Sequence, residues 1–113
     1  MAEIALLSIE GKDLADGVET LETGIADRLC GHRVVVELSA APSAGTLAVA
    51  FRSPGASKFV LLATLDLTAP ADPAEPTVFA KDHAGPVAEW KFTPAGIVPA
   101  PTTWSAYIAA WEV

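Results

Sequence analysis

Residues 45–66, GTLAVAFRSPGASKFVLLATLD, constrain the fold more than any other stretch, because they read as two β-strands folded back over a tight turn. In the first arm Leu47, Val49 and Phe51 alternate with Thr46, Ala48 and Arg52; in the second, Phe59, Leu61, Ala63 and Leu65 alternate with Lys58, Val60, Leu62 and Thr64. That period of two sends successive side chains to opposite faces of a sheet. Between the arms lies Ser53-Pro54-Gly55-Ala56. Proline presets φ at the second position of a turn and glycine accepts the positive φ that a type II turn needs at the third. Both arms are expected to be core scaffold, with residues 53–58 a projecting tip.

The rest of the chain continues in the same manner. Residues 3–10, EIALLSIE, are apolar at both parities between two glutamates and predict a first strand, covered on both sides or lying in a groove on a partner, that Gly11 ends. Residues 13–31 carry Leu14, Val18, Leu21, Ile25 and Leu29 at helical spacing, but Gly17 and Gly24 interrupt and Thr20 and Thr23 favour extended chain. The preferred reading is a short strand at 18–21 and a loop through 27–32. RVVVEL at 33–38 is a β-branched strand. After Asp66 the proline-rich TAPADPAEP predicts a surface loop, since proline donates nothing to a ladder. A strand at 77–81, a turn at 82–86, a strand at 87–93 with a wet side, a proline-rich connection at 94–101 and a last strand at 103–113 complete the series. Large apolar side chains on both faces of that last strand place it centrally or against another subunit. About eight strands, Gly/Pro turns between them and no amphipathic helix predict an all-β antiparallel sandwich or jelly roll.

A chain of 113 residues suits one domain with a core of its own. No stretch approaches the roughly 20 apolar residues of a membrane-spanning helix, and the N-terminus lacks the basic n-region of a signal peptide. Cys30 is the single cysteine, so no intramolecular disulfide forms, as suits a reducing compartment. The formal net charge is −7, and the seven basic residues are scattered with no two adjacent. Phosphate recognition needs clustered basic residues, so nucleic acid and anionic membrane are not expected partners.

Chemistry is hard to place. A paired-carboxylate hydrolase would have to draw on acids such as Asp66 and Glu89, which otherwise read as solvated surface groups. His32 and His83 sit in turn-like contexts beside Gly31 and Gly85, and no HExxH motif or His/Cys cluster accompanies them. The least implausible metal is calcium in the 66–75 loop. No phosphate loop and no GxSxG elbow exists. The expectation is therefore a protein with no catalytic residues, no metal and no cofactor. Trp90, Trp104, Trp111 and Tyr107 offer either a sugar-stacking platform or, with each indole N–H satisfied at the rim, core packing. Trp104, which follows a Pro-Ala-Pro run after two threonines, is the one expected to be exposed. Arg52 and Lys58 flank the turn as a small basic tip or as ordinary edge charges.

The strand RVVVEL, the Gly-Thr-started strand ending in a Pro-Gly turn (GTLAVAFRSPGA), the LDL strand end, the aromatic strand WKFTPAGI and the last strand WSAYIAAWEV form a recurring pattern. In these the chain, over about residues 33–113, resembles small β-sandwich structural proteins of tailed bacteriophages; residues 13–31 stand outside the pattern. The resemblance implies capsid decoration or cement proteins, head fibres, or tail and baseplate components, with no active site to carry over. It implies a virion protein made in the host cytoplasm that binds the major capsid protein or another virion protein by adhesion, as a homo-oligomer. On this reading residues 1–113 form one domain with residues 1–10 as an interaction strand or arm, whose removal (residues 1–9) weakens assembly and spares the fold. The contact residues are Ile4, Leu6, Arg52, Lys58, Trp104, Tyr107 and Trp111. A carbohydrate-binding module, with a glycan as partner, is the alternative, and a tail or baseplate accessory another.

Overall fold

The computed structural model describes residues 4–13, 17–23, 29–70, 72–98 and 103–112, with residues 4, 5, 97 and 98 described by their backbone. Eight strands are present: β1 (Ile4–Asp13), β2 (Glu19–Glu22), β3 (Gly31–Leu38), β4 (Ala44–Arg52), β5 (Val60–Asp66), β6 (Val78–Ala84), β7 (Glu89–Val98) and β8 (Thr103–Trp111). They form two four-stranded antiparallel sheets, ordered β1-β8-β3-β6 and β2-β7-β4-β5. The first strand pairs with the eighth, the second with the seventh, the third with the sixth and the fourth with the fifth. This is a long hairpin rolled up into a sandwich, the jelly-roll connectivity.

Period-two alternation builds the core directly. Inward positions of the first sheet supply Ile9, Val34, Val36, Phe79, Trp104, Ala106 and Ile108, and the second sheet supplies Leu47, Val49, Trp90 and Phe92. Leu67 and Val87, from the loops, plug the ends. Leu67 also pins the start of the proline-rich connection, its backbone N–H donating to Gly45 C=O. Burying side chains of this size stabilises by about 1.5–3 kcal/mol each.

The hairpin forms as its residues dictate. Ala56 N–H donates to Ser53 C=O at 3.0 Å, and Gly55 takes the positive φ of 82°. Its second arm is less buried than its alternation suggests. The register with β4 slips at Leu62, which packs against the core, while Val60 and Leu61 are left 55% and 61% exposed on the edge of the sheet. A bulge there places two residues opposite one, so strict alternation fails.

Several boundaries move for the same kind of reason. Gly11 does not end the first strand: at φ +66° it forms a bulge between Ile9 and Lys12, its N–H donating to Ser105 Oγ, and pairing with β8 resumes to Asp13. Residues 82–84 are not a turn, because β3 begins at Gly31 and offers them partners, with His32 opposite His83. The connection expected at residue 94 is still strand. β2 pairs only with residues 89–92, so beyond Phe92 β7 has a free side where Pro94 is tolerated. Of the loop read through residues 27–32, residues 27 and 28 fall outside the described residues and residues 31 and 32 belong instead to β3, which finds partners in β6 and β8; the connection read at 99–101 also falls outside them. The last strand is central within its sheet, between β1 and β3.

Candidate contact face

The outer surface of the β1-β8-β3-β6 sheet carries two adjoining hollows. Alternation turns Arg33, Val35 and Glu37 of β3 outward, with Ser105, Tyr107, Ala109 and Trp111 of β8 and Val78, Ala80 and Asp82 of β6. Register then arranges them in rows. Leu6, Ala109, Arg33 and Asp82 line up across the sheet, and Ser8, Tyr107, Val35 and Ala80 form the next row.

Leu6 is 79% exposed and Tyr107 37% exposed. With Leu7, Val35, Ile108 and Ala109 they wall a groove of about 330 Å³ whose polar rim is Ser8 and Arg33. A shallower hollow of about 470 Å³ continues it over Val78, Ala80 and Asp82. Where the two meet, Arg33 Nε and Nη2 donate to Asp82 Oδ1 and Oδ2 at 2.7 and 3.0 Å. That paired hydrogen bonding holds the Asp82 carboxyl below its usual range and raises the guanidinium. Both groups are well exposed, so the pair adds little to stability. Its effect is to cancel the Arg33 charge that borders the groove, with Lys81 beside the pair in the second hollow.

At the end of the face Trp111 lies opposite Gly31. A Cβ at Gly31 would collide with the indole, so glycine is what lets the ring lie down on the sheet.

The expected contact residues therefore divide. Leu6 and Tyr107 share the groove, Trp111 sits half-buried at its end, and the Ile4 backbone pairs with Trp111. Arg52 and Lys58 belong to the other sheet and its turn: Arg52 Nε donates to Glu89 Oε1 at 3.4 Å and its Nη1 to Ala56 C=O, while Lys58 is exposed. Trp104 is not exposed. At 1% it is core, stacked obliquely against Phe92 with ring centroids 5.3 Å apart, because the strand begins at Thr103 and Trp104 falls on its inward parity. Its Nε1 and that of Trp90 reach no hydrogen-bond partner among the described residues, contrary to the expected rim. Four aromatics thus make no common stacking platform.

Arg33, Val35, Ala109 and Asp82 escaped the sequence reading. The parity of RVVVEL already put Arg33 and Val35 on one side, but only cross-strand register brings them beside Leu6 and Tyr107.

The other candidates also have positions. Asp66 and Glu89 pair with Thr46 and Arg52, at opposite ends of β4. Six residues of strand separate them by roughly 20 Å, beyond the roughly 5–9.5 Å of a working carboxylate pair. Asp66 Oδ1 accepts from Thr68 N–H and Oγ1–H, which lowers its pKa, and Asp72 Oδ1 accepts from Ala74 N–H. No cluster of three His, Cys, Asp or Glu suited to a metal occurs among the described residues, and among them no helix is long and apolar enough to cross a membrane.

The histidines are strand residues. His32 is fully buried between the sheets, its ring centroid 6.0 Å from His83 and 5.6 Å from Trp90, and Phe51 lies 4.0 Å from His83. Neither ring nitrogen of His32 finds a hydrogen-bond partner among the described residues. Burial, aided by His83, pushes its pKa down to about 4.

No family model matches the chain, and no curated protein matches it. Among solved structures, it is similar to a chain in the acid-stable capsid of Helicobacter pylori bacteriophage KHP30, at 15% identity and a TM-score of 0.55, over 97% of this chain and 86% of that one. It also matches Yersinia pseudotuberculosis-derived mitogen at 10% identity and a TM-score of 0.46, over 97% and 85% of the two chains. At 15% identity the likeness to the capsid chain is one of fold alone.

Proposed function

We propose that the chain is a structural protein of a virus particle, acting by adhesion as a capsid decoration or cement protein. The observation that carries this is the end-to-end fold correspondence with the KHP30 capsid chain. The phage-like order of strands and turns over residues 33–113 supports it independently. Fold alone does not assign function, so the contact face adds weight. A mostly apolar groove flanked by Leu6 and Tyr107, its one charge, Arg33, paired with Asp82, suits non-covalent docking, whereas the acidic residues that dominate the chain's charge suit solvent. On this reading the protein is not an enzyme and needs no cofactor.

The test is to raise antibody against the purified chain and label density-gradient-purified particles from cells that carry its gene. Gold on the particle heads is the expected result. A chain that stays at the top of the gradient as free protein overturns the reading.

A further inference from the structure

The contact face has a more specific occupant than an unnamed shell surface. We propose that the outer face of the β1-β8-β3-β6 sheet is covered by the same face of a second copy of this chain, in an isologous dimer. The proposal rests on that face being a contact surface, not on the particle being viral.

Charge is the first argument. Two copies carrying −7 each repel over most of their surfaces, and can approach only where the local charge is neutral. The Leu6–Tyr107 groove is such a place: among the described residues its lining holds one charge, Arg33, which is paired with Asp82, and the charges flanking that pair, Lys81 and Glu37, are of opposite sign. The second argument is self-complementarity. In a two-fold interface each residue that contacts a second is contacted in return by its copy. A face bearing both an exposed guanidinium and an exposed carboxylate 2.7 Å apart can therefore meet itself, Arg33 of one protomer alternating with Asp82 of the other. A strongly basic or acidic partner gains no such match.

Area is the third. Four strands about 4.8 Å apart and about seven residues long present roughly 19 by 23 Å, on the order of 440 Å² in projection. With side-chain relief this approaches the roughly 600 Å² per partner at the low end of specific interfaces. An interface at that end of the scale fits a transient dimer, whose occupancy a repeating particle surface would raise by effective concentration.

Sedimentation velocity on the full chain from about 1 μM to about 300 μM decides the matter. Wild type is expected to shift from monomer to dimer, and Leu6→Glu to stay monomeric throughout. Arg33→Asp, which lines up four carboxylates, weakens association at least tenfold, and Arg33→Asp/Asp82→Arg restores it. Far-UV circular dichroism checks that each variant is folded; should Leu6→Glu fail that check, the charge-swap pair decides alone. A wild type monomeric at every concentration, or a dimer indifferent to both sets of variants, overturns the proposal. The same variants separate this from the viral reading. If the chain is monomeric yet needs Leu6 to label particles, the face belongs to the shell, and self-association falls while the viral role stands. If the Leu6-dependent dimer forms and particles carry none of the chain, the viral role falls and the dimer stands.

Discussion

A glycine and a histidine carry much of the chemistry at the level of single residues. Gly31 is irreplaceable because Trp111 occupies the space of its missing side chain. Gly31→Ala should displace the indole, at about 1–3 kcal/mol for overpacking, and a red shift of tryptophan fluorescence together with a lower urea midpoint would show it. His32 is buried with its pKa lowered from 6.5 to about 4. The unfolded chain therefore takes up a proton below pH 6.5 that the native chain refuses until about pH 4. The stabilisation is complete above 6.5 and drains away as pH falls towards 4, by about 3 kcal/mol in all. Burial lowers the pKa of His83 as well, adding loss in the same direction. Asp66 and Asp82, held below the usual carboxylate range, lose their share only at lower pH. Urea midpoints at pH 7.5 and 4.5 should differ accordingly in wild type, and His32→Leu should flatten most of that difference. An unchanged pH dependence in His32→Leu would refute the assignment.

Among the strands, what was legible depended on whether alternation ran unbroken. RVVVEL, the first hairpin arm and the Pro-Gly turn fold as written, because each is local: one face apolar, one residue at positive φ. The slip at Leu62, the bulge at Gly11 and the extension of β6 to Ala84 were not legible, since each is set by the partner strand, and sequence shows a strand without its neighbours. Trp104 was misread for a similar reason. Its approach through Pro99 and Pro101 is local, whereas its inward parity is fixed by pairing with Leu38. The contact face was half legible: Leu6 and Tyr107 could be suspected one at a time, but not Arg33 and Val35 between Tyr107 and Asp82. β1 itself is integral to the sheet, with Ile9 in the core and Leu7 packed against it. Deleting residues 1–9 should therefore cost stability by several kcal/mol, at about 2–5 kcal/mol for a buried isoleucine alone, in addition to any effect on assembly; thermal melting measures it. On the opposite edge Leu61→Lys should leave the melting temperature within about 1 °C, being an exposed position, and reduce aggregation on heating, as charge does on an open strand.

For the molecule as a whole, jelly-roll pairing joins the first strand to the last. β1 pairs with β8 across nearly the whole sequence, so folding is expected in the millisecond-to-second range of non-local β proteins. Stopped-flow refolding monitored by the three tryptophans should show that slow phase, and a microsecond transition would contradict it. The same pairing has a practical corollary. Ile4 stands opposite Trp111, so β1 begins beside the point where β8 ends, roughly 5 Å apart at the backbone. A short flexible linker joining Ile4 to Trp111, with the chain reopened at the Ser53–Lys58 tip, should yield a circular permutant that keeps both sheets.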